Sequence, residues 1–400
     1  MRLKLLAACL LFPIAAQAQL DSPPPDGRPE RTELGAPQRV PFSLDRGKIV
    51  VEARVNGRGP FPFVLDTGAG ANILNQDLAD ELGLETTGKT KVGDPTNPES
   101  ISATIVRLDS IQLGDARFEG LRALAWDRGA LYGGANAPRG ILGYPLFAKC
   151  LLTLDYGAQR IELTRGELPK ADGVGVIDYR IEHGGIPTFE IKIAGQRVPA
   201  HLDSGAMSGL SVPNEWEPRF PVSGPVAVVG RARTASKEYG IRGATLDGAL
   251  EIGGQRLDAP EIRFSGALRT ANIGTELLRL FRVTLDSANQ RVRFERVAPG
   301  ATTAPVASKP RLGVTLERRQ ETTGTTIVVH DVVAETPAAR AGIKPGDIVL
   351  RIAGRPAAEV EGDVLRQELG KAESIEFELR RGTETLKIKV DLRPSPKSQP

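Results

Sequence analysis

The chain has 400 residues, with 52 Lys and Arg against 49 Asp and Glu, a balance that gives no electrostatic case for nucleic acid or an acidic membrane surface. Its length is more than one ordinary core encloses and indicates two or three domains. The 44 Gly and 30 Pro are spread along the chain as turns, and aromatics make up only 5%, so Val, Leu, Ile and Ala must fill the interior.

Residues 1–18 read as an export signal: Arg2 and Lys4 form the basic end, Leu5–Ala16 the apolar centre and Ala16-Gln17-Ala18 a small-residue cleavage site. The expected location is therefore periplasmic or secreted. That apolar run is too short to span a bilayer, and no other stretch comes close. Residues 19–38, rich in Pro and charge, read as a flexible leader. Removal of the signal leaves Cys150 as the remaining cysteine, which excludes a disulfide within the mature chain and suits a small apolar core residue.

From Val40 the pattern becomes short alternating apolar segments such as KIVVEARVNG and FPFVLD, followed by a helix-like NQDLADELGL. Strands of this length between Gly, Asn and Asp turns predict a mainly β chain built as a barrel or sandwich. Near Val174 the same order begins again. TFEIKIAGQRVPAHLDSGA parallels VEARVNGRGPFPFVLDTGA, and TANIGTELLRLFRVTLDSANQRVRFE parallels RGILGYPLFAKCLLTLDYGAQRIELT. Gly143 lies 77 residues after Asp66 and Gly274 lies 71 after Asp203, while Asp155 and Asp286 each lie 12 beyond those glycines. A duplication at this period predicts two similar lobes related by an approximate twofold axis.

At the centre of each copy stands an Asp-Thr/Ser-Gly turn entered by a strand-like run: Asp66-Thr67-Gly68-Ala69 and Asp203-Ser204-Gly205-Ala206. One such turn is a weak signal, because all three residue types favour turns. Two within a duplication point to two carboxylates brought together. Such a pair cannot ionise fully, so it holds one proton between its members and can serve as both acid and base.

With both motifs quoted, the chain resembles the retropepsin-like and pepsin-like aspartic proteases, here in a single-chain bacterial form. The resemblance covers residues 40 to 297, including the apolar-apolar-Gly segments Ile141-Leu142-Gly143 and Asn272-Ile273-Gly274. His201 and Asn272 depart from the pattern by standing where an apolar residue is usual. The resemblance implies an aspartic endopeptidase with two acid-protease β-barrel lobes and a catalytic pair Asp66 and Asp203. Thr67, Gly68, Ser204 and Gly205 would support the dyad, the two hydroxyls by bonding across to the opposite lobe. Both lobes lie on one chain, so a monomer completes the site. Because Ala69 and Ala206 carry no hydroxyl, neither aspartate is expected to receive a side-chain hydrogen bond from that position, and a weakly acidic to neutral pH optimum follows. Residues 89–100 and 229–240 are candidate flaps, with Tyr239 against the substrate.

Residues 298–310 form a Pro/Ala/Thr linker, and 311–393 a third unit before the tail 394–400. The run from Thr336 through Pro337, Gly342 and Gly346 to Asp347 resembles the PDZ domain of bacterial envelope proteases, an α+β fold of five to six strands and two helices. The resemblance makes Arg311, Leu312, Gly313 and Val314 the loop that holds a peptide C-terminus, with residues 361–369 as the second wall. The partners expected are thus a peptide or protein substrate and peptide C-termini at the PDZ domain. Three dispersed histidines, His183, His201 and His330, offer no zinc spacing, and neither a metal nor a cofactor is called for. A catalytically silent, peptide-binding envelope protein on the same lobes stays open as the second reading.

Overall fold

The structure, a computed structural model, describes residues 25–45, 47–93, 100–126, 137–182, 185–233, 238–297, 312–321, 324–332, 336–360, 365, 369 and 372–392. Residues 1–18, expected as an export signal, the expected linker 298–310 and the tail 394–400 lie outside the described residues, as do 94–99 and 234–237 within the candidate flaps.

The chain is mainly β, and alternation builds its strands. Lys48–Val55 buries Ile49, Val51, Ala53 and Val55 and turns Glu52 and Arg54 outward. The helix-like segment forms an α-helix over Gln76–Leu82, ended by Gly83 in the left-handed region (φ 64°) with its N–H on the Asp80 carbonyl.

The two copies fold alike. In the first, Arg58–Asp66 runs parallel to Gly140–Gly143, which pairs antiparallel with Ile73–Asn75, itself parallel to Ala116–Trp126. In the second, Gln196–Leu202 runs parallel to Ala271–Ile273, which pairs antiparallel with Leu210–Pro213, itself parallel to Glu261–Ser265. Each lobe adds a long hairpin, Thr86–Gly93 with Ser100–Leu113 and Val222–Arg233 with Glu238–Leu246.

The lobes are joined through one antiparallel ladder between Leu151–Asp155 and Phe281–Asp286. Thr153 faces Thr284 there, with hydroxyls 3.0 Å apart. These two threonines are equivalent positions of the duplication, so the approximate twofold axis passes between them. Buried side chains of both lobes form one continuous core.

The leader departs from its expected flexibility over residues 25–38. Arg31–Glu33 pairs with the edge of Ala116–Trp126, and Pro25, Gly27, Pro29 and Leu34 are buried. The Asn72 amide holds it from below, donating to the Gly27 carbonyl at 2.8 Å. An unpaired sheet edge and a buried amide both need partners, and the leader supplies them.

The third unit is a six-stranded sheet with its own core, which includes Leu312, Val329, Ala338, Phe377 and Val390. Thr336 caps the short helix Pro337–Arg340, which packs on this core through Pro337 and Ala338. Gly342 (φ 85°) and Gly346 (φ 89°) then turn the chain into the strand Ile348–Ile352. Between them and that strand Asp347, 1% exposed, is clamped by Arg381 at 2.7 Å on each oxygen and by the Lys344 N–H at 2.9 Å.

Candidate active site

Asp66 is the last residue of its strand, and Asp203 directly follows Leu202 at the end of the equivalent one. Both turns close in the same way. The Ala69 N–H bonds the Asp66 carbonyl and the Ala206 N–H the Asp203 carbonyl, each at 3.2 Å. Gly68 and Gly205 donate their N–H groups to Oδ1 of Asp66 and Asp203 respectively, each at 2.9 Å.

The glycines are needed for a second reason. A Cβ on Gly68 would stand 2.7 Å from Asp203 Cγ, and one on Gly205 would stand 2.7 Å from Asp66 Oδ1. Each glycine therefore makes room for the carboxylate of the opposite lobe. Gly143 and Gly274, at the ends of the neighbouring strands, make room for the backbone of their own lobe: a Cβ there would meet the Ala71 or Ser208 carbonyl, and the Ala69 carbonyl at 2.7 Å or the Ala206 carbonyl at 2.8 Å.

Thr67 and Ser204, both fully buried, lock the approach. The Thr67 N–H donates to Ser204 Oγ and the Ser204 N–H to Thr67 Oγ1, each at 3.0 Å. The hydroxyls then donate onward to the Leu202 and Leu65 carbonyls, each at 2.8 Å. All four groups are satisfied by partners on the opposite lobe, so the spacing of the aspartates is set by a closed set of bonds.

Burial, and then the negative charge of Asp203, push the Asp66 carboxyl up to about 7, against the opposing pull of Lys48 and the Gly68 N–H. A proton is thus retained at the pair across the weakly acidic range. Burial also pushes the Tyr156 phenol far up, with both aspartates adding to the effect, so it stays neutral. Burial likewise accounts for Cys150, whose thiol is pushed up to about 12 and stays inert within the core.

Asn272 changes the expected symmetry. Its Nδ2 donates to Asp203 Oδ2 at 2.7 Å, so Asp203 does receive a side-chain hydrogen bond, from the strand Ala271–Ile273 and not from position 206. The parallel register sets Asn272 beside His201, whose Nδ1 lies 3.1 Å from the Thr270 hydroxyl. Burial lowers the His201 imidazole's basicity while the Asp203 charge raises it. Val64 and Ile141 are the equivalents in the first lobe, and both lie in an apolar cluster with Ile73 and Leu124. The signal for Asn272 in the sequence is its departure from an apolar pattern; the register that aims it is not visible there.

A cavity of about 410 Å³ also opens between the lobes, lined by Arg28, Gly70, Tyr144, Gly185 and Gln290 among others. Neither aspartate lines it, so it is separate from the dyad.

In the third unit Leu312 is buried and its carbonyl accepts the Ala338 N–H at 2.9 Å. Gly313 adopts φ 81°, with Thr336 where a Cβ would project, and Val314 opens the strand Val314–Glu321. Arg311 lies outside the described residues, and so does most of 361–369. The side chain of Tyr239 is also outside them.

Residues 51–146 match the family model described as aspartyl protease, and residues 310–392 match the one described as PDZ domain. The chain therefore combines an aspartyl protease domain with a C-terminal PDZ domain. No curated protein matches it.

Proposed function

We propose that the protein is an aspartic endopeptidase that cleaves peptide bonds with water activated between Asp66 and Asp203, and that its PDZ domain recruits or senses peptide C-termini. The observation that carries this reading is the reciprocal fit at the lobe boundary, where Gly68 leaves room for Asp203 and Gly205 for Asp66. A β protein with two unrelated Asp-Thr/Ser-Gly turns has no need to interlock them.

The chemistry follows from sharing one proton. The ionised carboxylate takes a proton from water as its oxygen attacks the peptide carbonyl, while the protonated carboxyl donates to the carbonyl oxygen. The dyad titrates as a unit, and activity is expected where it holds one proton. Asp66, with its carboxyl near 7, supports a weakly acidic to neutral optimum. Both aspartates come from one chain, so a monomer suffices, and the pattern of residues 1–18 supports export to the periplasm or beyond.

The test compares the mature protein from Gln19 with its Asp66→Asn variant on a complex peptide library from acid to neutral pH, reading new termini by mass spectrometry. Cleavage that disappears in the variant is the expected result. Silence from both, and from a chain without residues 311–393, would favour a peptide-binding protein on the same lobes.

A further inference from the structure

We propose that Asn272 is a positioning residue that decides where the shared proton of the dyad sits: by donating to Asp203 Oδ2 at 2.7 Å it keeps Asp203 as the ionised base and leaves the proton on Asp66, the acid. This rests on the peptidase reading above.

The backbone donors to the two carboxylates are matched. Each receives one backbone N–H on Oδ1 at 2.9 Å, from Gly68 or from Gly205. Asp203 alone receives a second, side-chain donor among the described residues, because the second lobe carries Asn272 where the first carries Ile141. A hydrogen bond donated to a carboxylate favours its charged form. The Asn272 amide also leaves its own Oδ1 buried without a donor among the described residues. An asparagine kept only to fill the strand would gain nothing from that arrangement. Its alignment serves the carboxylate.

The other groups facing the pair do not reverse this assignment. The Lys48 charge favours an ionised Asp66, but burial and the neighbouring carboxylate outweigh it. Burial opposes a charge on His201, and Tyr156 stays neutral.

The assignment fixes the direction of each transfer. Water attacks the peptide carbon, its proton passes to Asp203, and the carbonyl oxygen takes the proton of Asp66. A neutral geminal diol results, with Asp66 now ionised and Asp203 protonated. The C–N bond then breaks as the amine nitrogen takes the proton from Asp203. One diol proton returns to Asp66, leaving a carboxylic acid, an amine and the starting dyad.

The test is a ¹³C NMR titration of mature protein labelled at the Asp carboxyls, assigned with Asp66→Asn and Asp203→Asn. Between the two steps of the dyad, the Asp203 carbon should show the ionised shift and the Asp66 carbon the protonated one. In Asn272→Leu the two carbons should move toward a common intermediate shift, and the acidic limb of the kcat/KM profile should rise by about one pH unit. A protonated Asp203 in the wild type would overturn the proposal, since the amide would then be reversed and accept its proton. An unmoved pH profile in a folded Asn272→Leu would overturn it as well. The wild-type titration decides the proton's place by itself, should that variant fail to fold. It needs no turnover, so a proton on Asp66 without library cleavage would sink the peptidase reading alone. A proton on Asp203 with cleavage would sink this one alone.

Discussion

Thr67 and Ser204 exchange hydrogen bonds across the lobe boundary, each backbone N–H donating to the other's hydroxyl at 3.0 Å. Because both residues are fully buried, no water can take over a lost bond. Thr67→Val keeps the shape but orphans the Ser204 N–H and removes the donor to the Leu202 carbonyl. We expect a loss of roughly 2 to 4 kcal/mol in denaturant unfolding, with Thr67→Ser much milder. An unchanged midpoint in Thr67→Val would mean that the lobes are held together by the shared sheet and core alone.

The glycines facing the carboxylates should be intolerant of a methyl group. In Gly205→Ala the new Cβ would stand 2.7 Å from Asp66 Oδ1, so the carboxylates must separate. Misplacement on that scale costs about 100-fold in rate. The expected outcome is a drop of that size in kcat/KM with the fold retained by circular dichroism. Activity within a few-fold of wild type would show that the glycine is not what sets the spacing.

The pH dependence of stability carries the signature of Asp66. Its folded carboxyl titrates near 7, whereas an unfolded aspartate titrates near 3.9. Between those values the folded chain retains a proton that the unfolded chain has released. The stability present below about pH 4 is therefore lost progressively as pH rises toward 7. Other carboxylates, including Glu162 and Asp347, are shifted the opposite way. The difference in melting temperature between wild type and Asp66→Asn isolates the aspartate. That difference should grow in favour of the variant from pH 4 to 7; parallel curves would contradict the raised carboxyl.

Asn72 ties the leader to the segment that follows the Asp66 turn. It is fully buried, donates to the Gly27 carbonyl at 2.8 Å and accepts the Gly143 N–H at 3.0 Å, beside Asp66 in the parallel ladder. Asn72→Ala should cost about 2 to 3 kcal/mol and speed trypsin nicking at Arg28 and Arg31. Unaltered nicking would indicate that the pairing of Arg31–Glu33 holds the leader unaided.

The duplication makes the two-lobed architecture legible, because a domain-sized repeat with matched spacings leaves few alternatives to two similar folds. What it leaves dark depends on register and docking. Asn272 stands out as a polar residue in an apolar slot, yet its bond to Asp203 follows from pairing with His201, which no local pattern reveals. The leader differs from its expected flexibility for a related reason: Pro and charge describe its own preferences and not the edge strand that receives Arg31–Glu33. Short-range signals serve the third unit better, where Thr336, Pro337, Gly342 and Gly346 cap and turn the chain within a few residues.

The account stands or falls on Asp66 and Asp203 acting as one unit, and a double-mutant cycle on a single cleaved peptide measures that directly. Asp66→Asn and Asp203→Asn should each lower kcat/KM by about 10⁴-fold or more, with the double variant falling no further, because removing either partner disables the pair. Losses that multiply in the double variant, or a single variant retaining a tenth of the activity, would contradict a dyad.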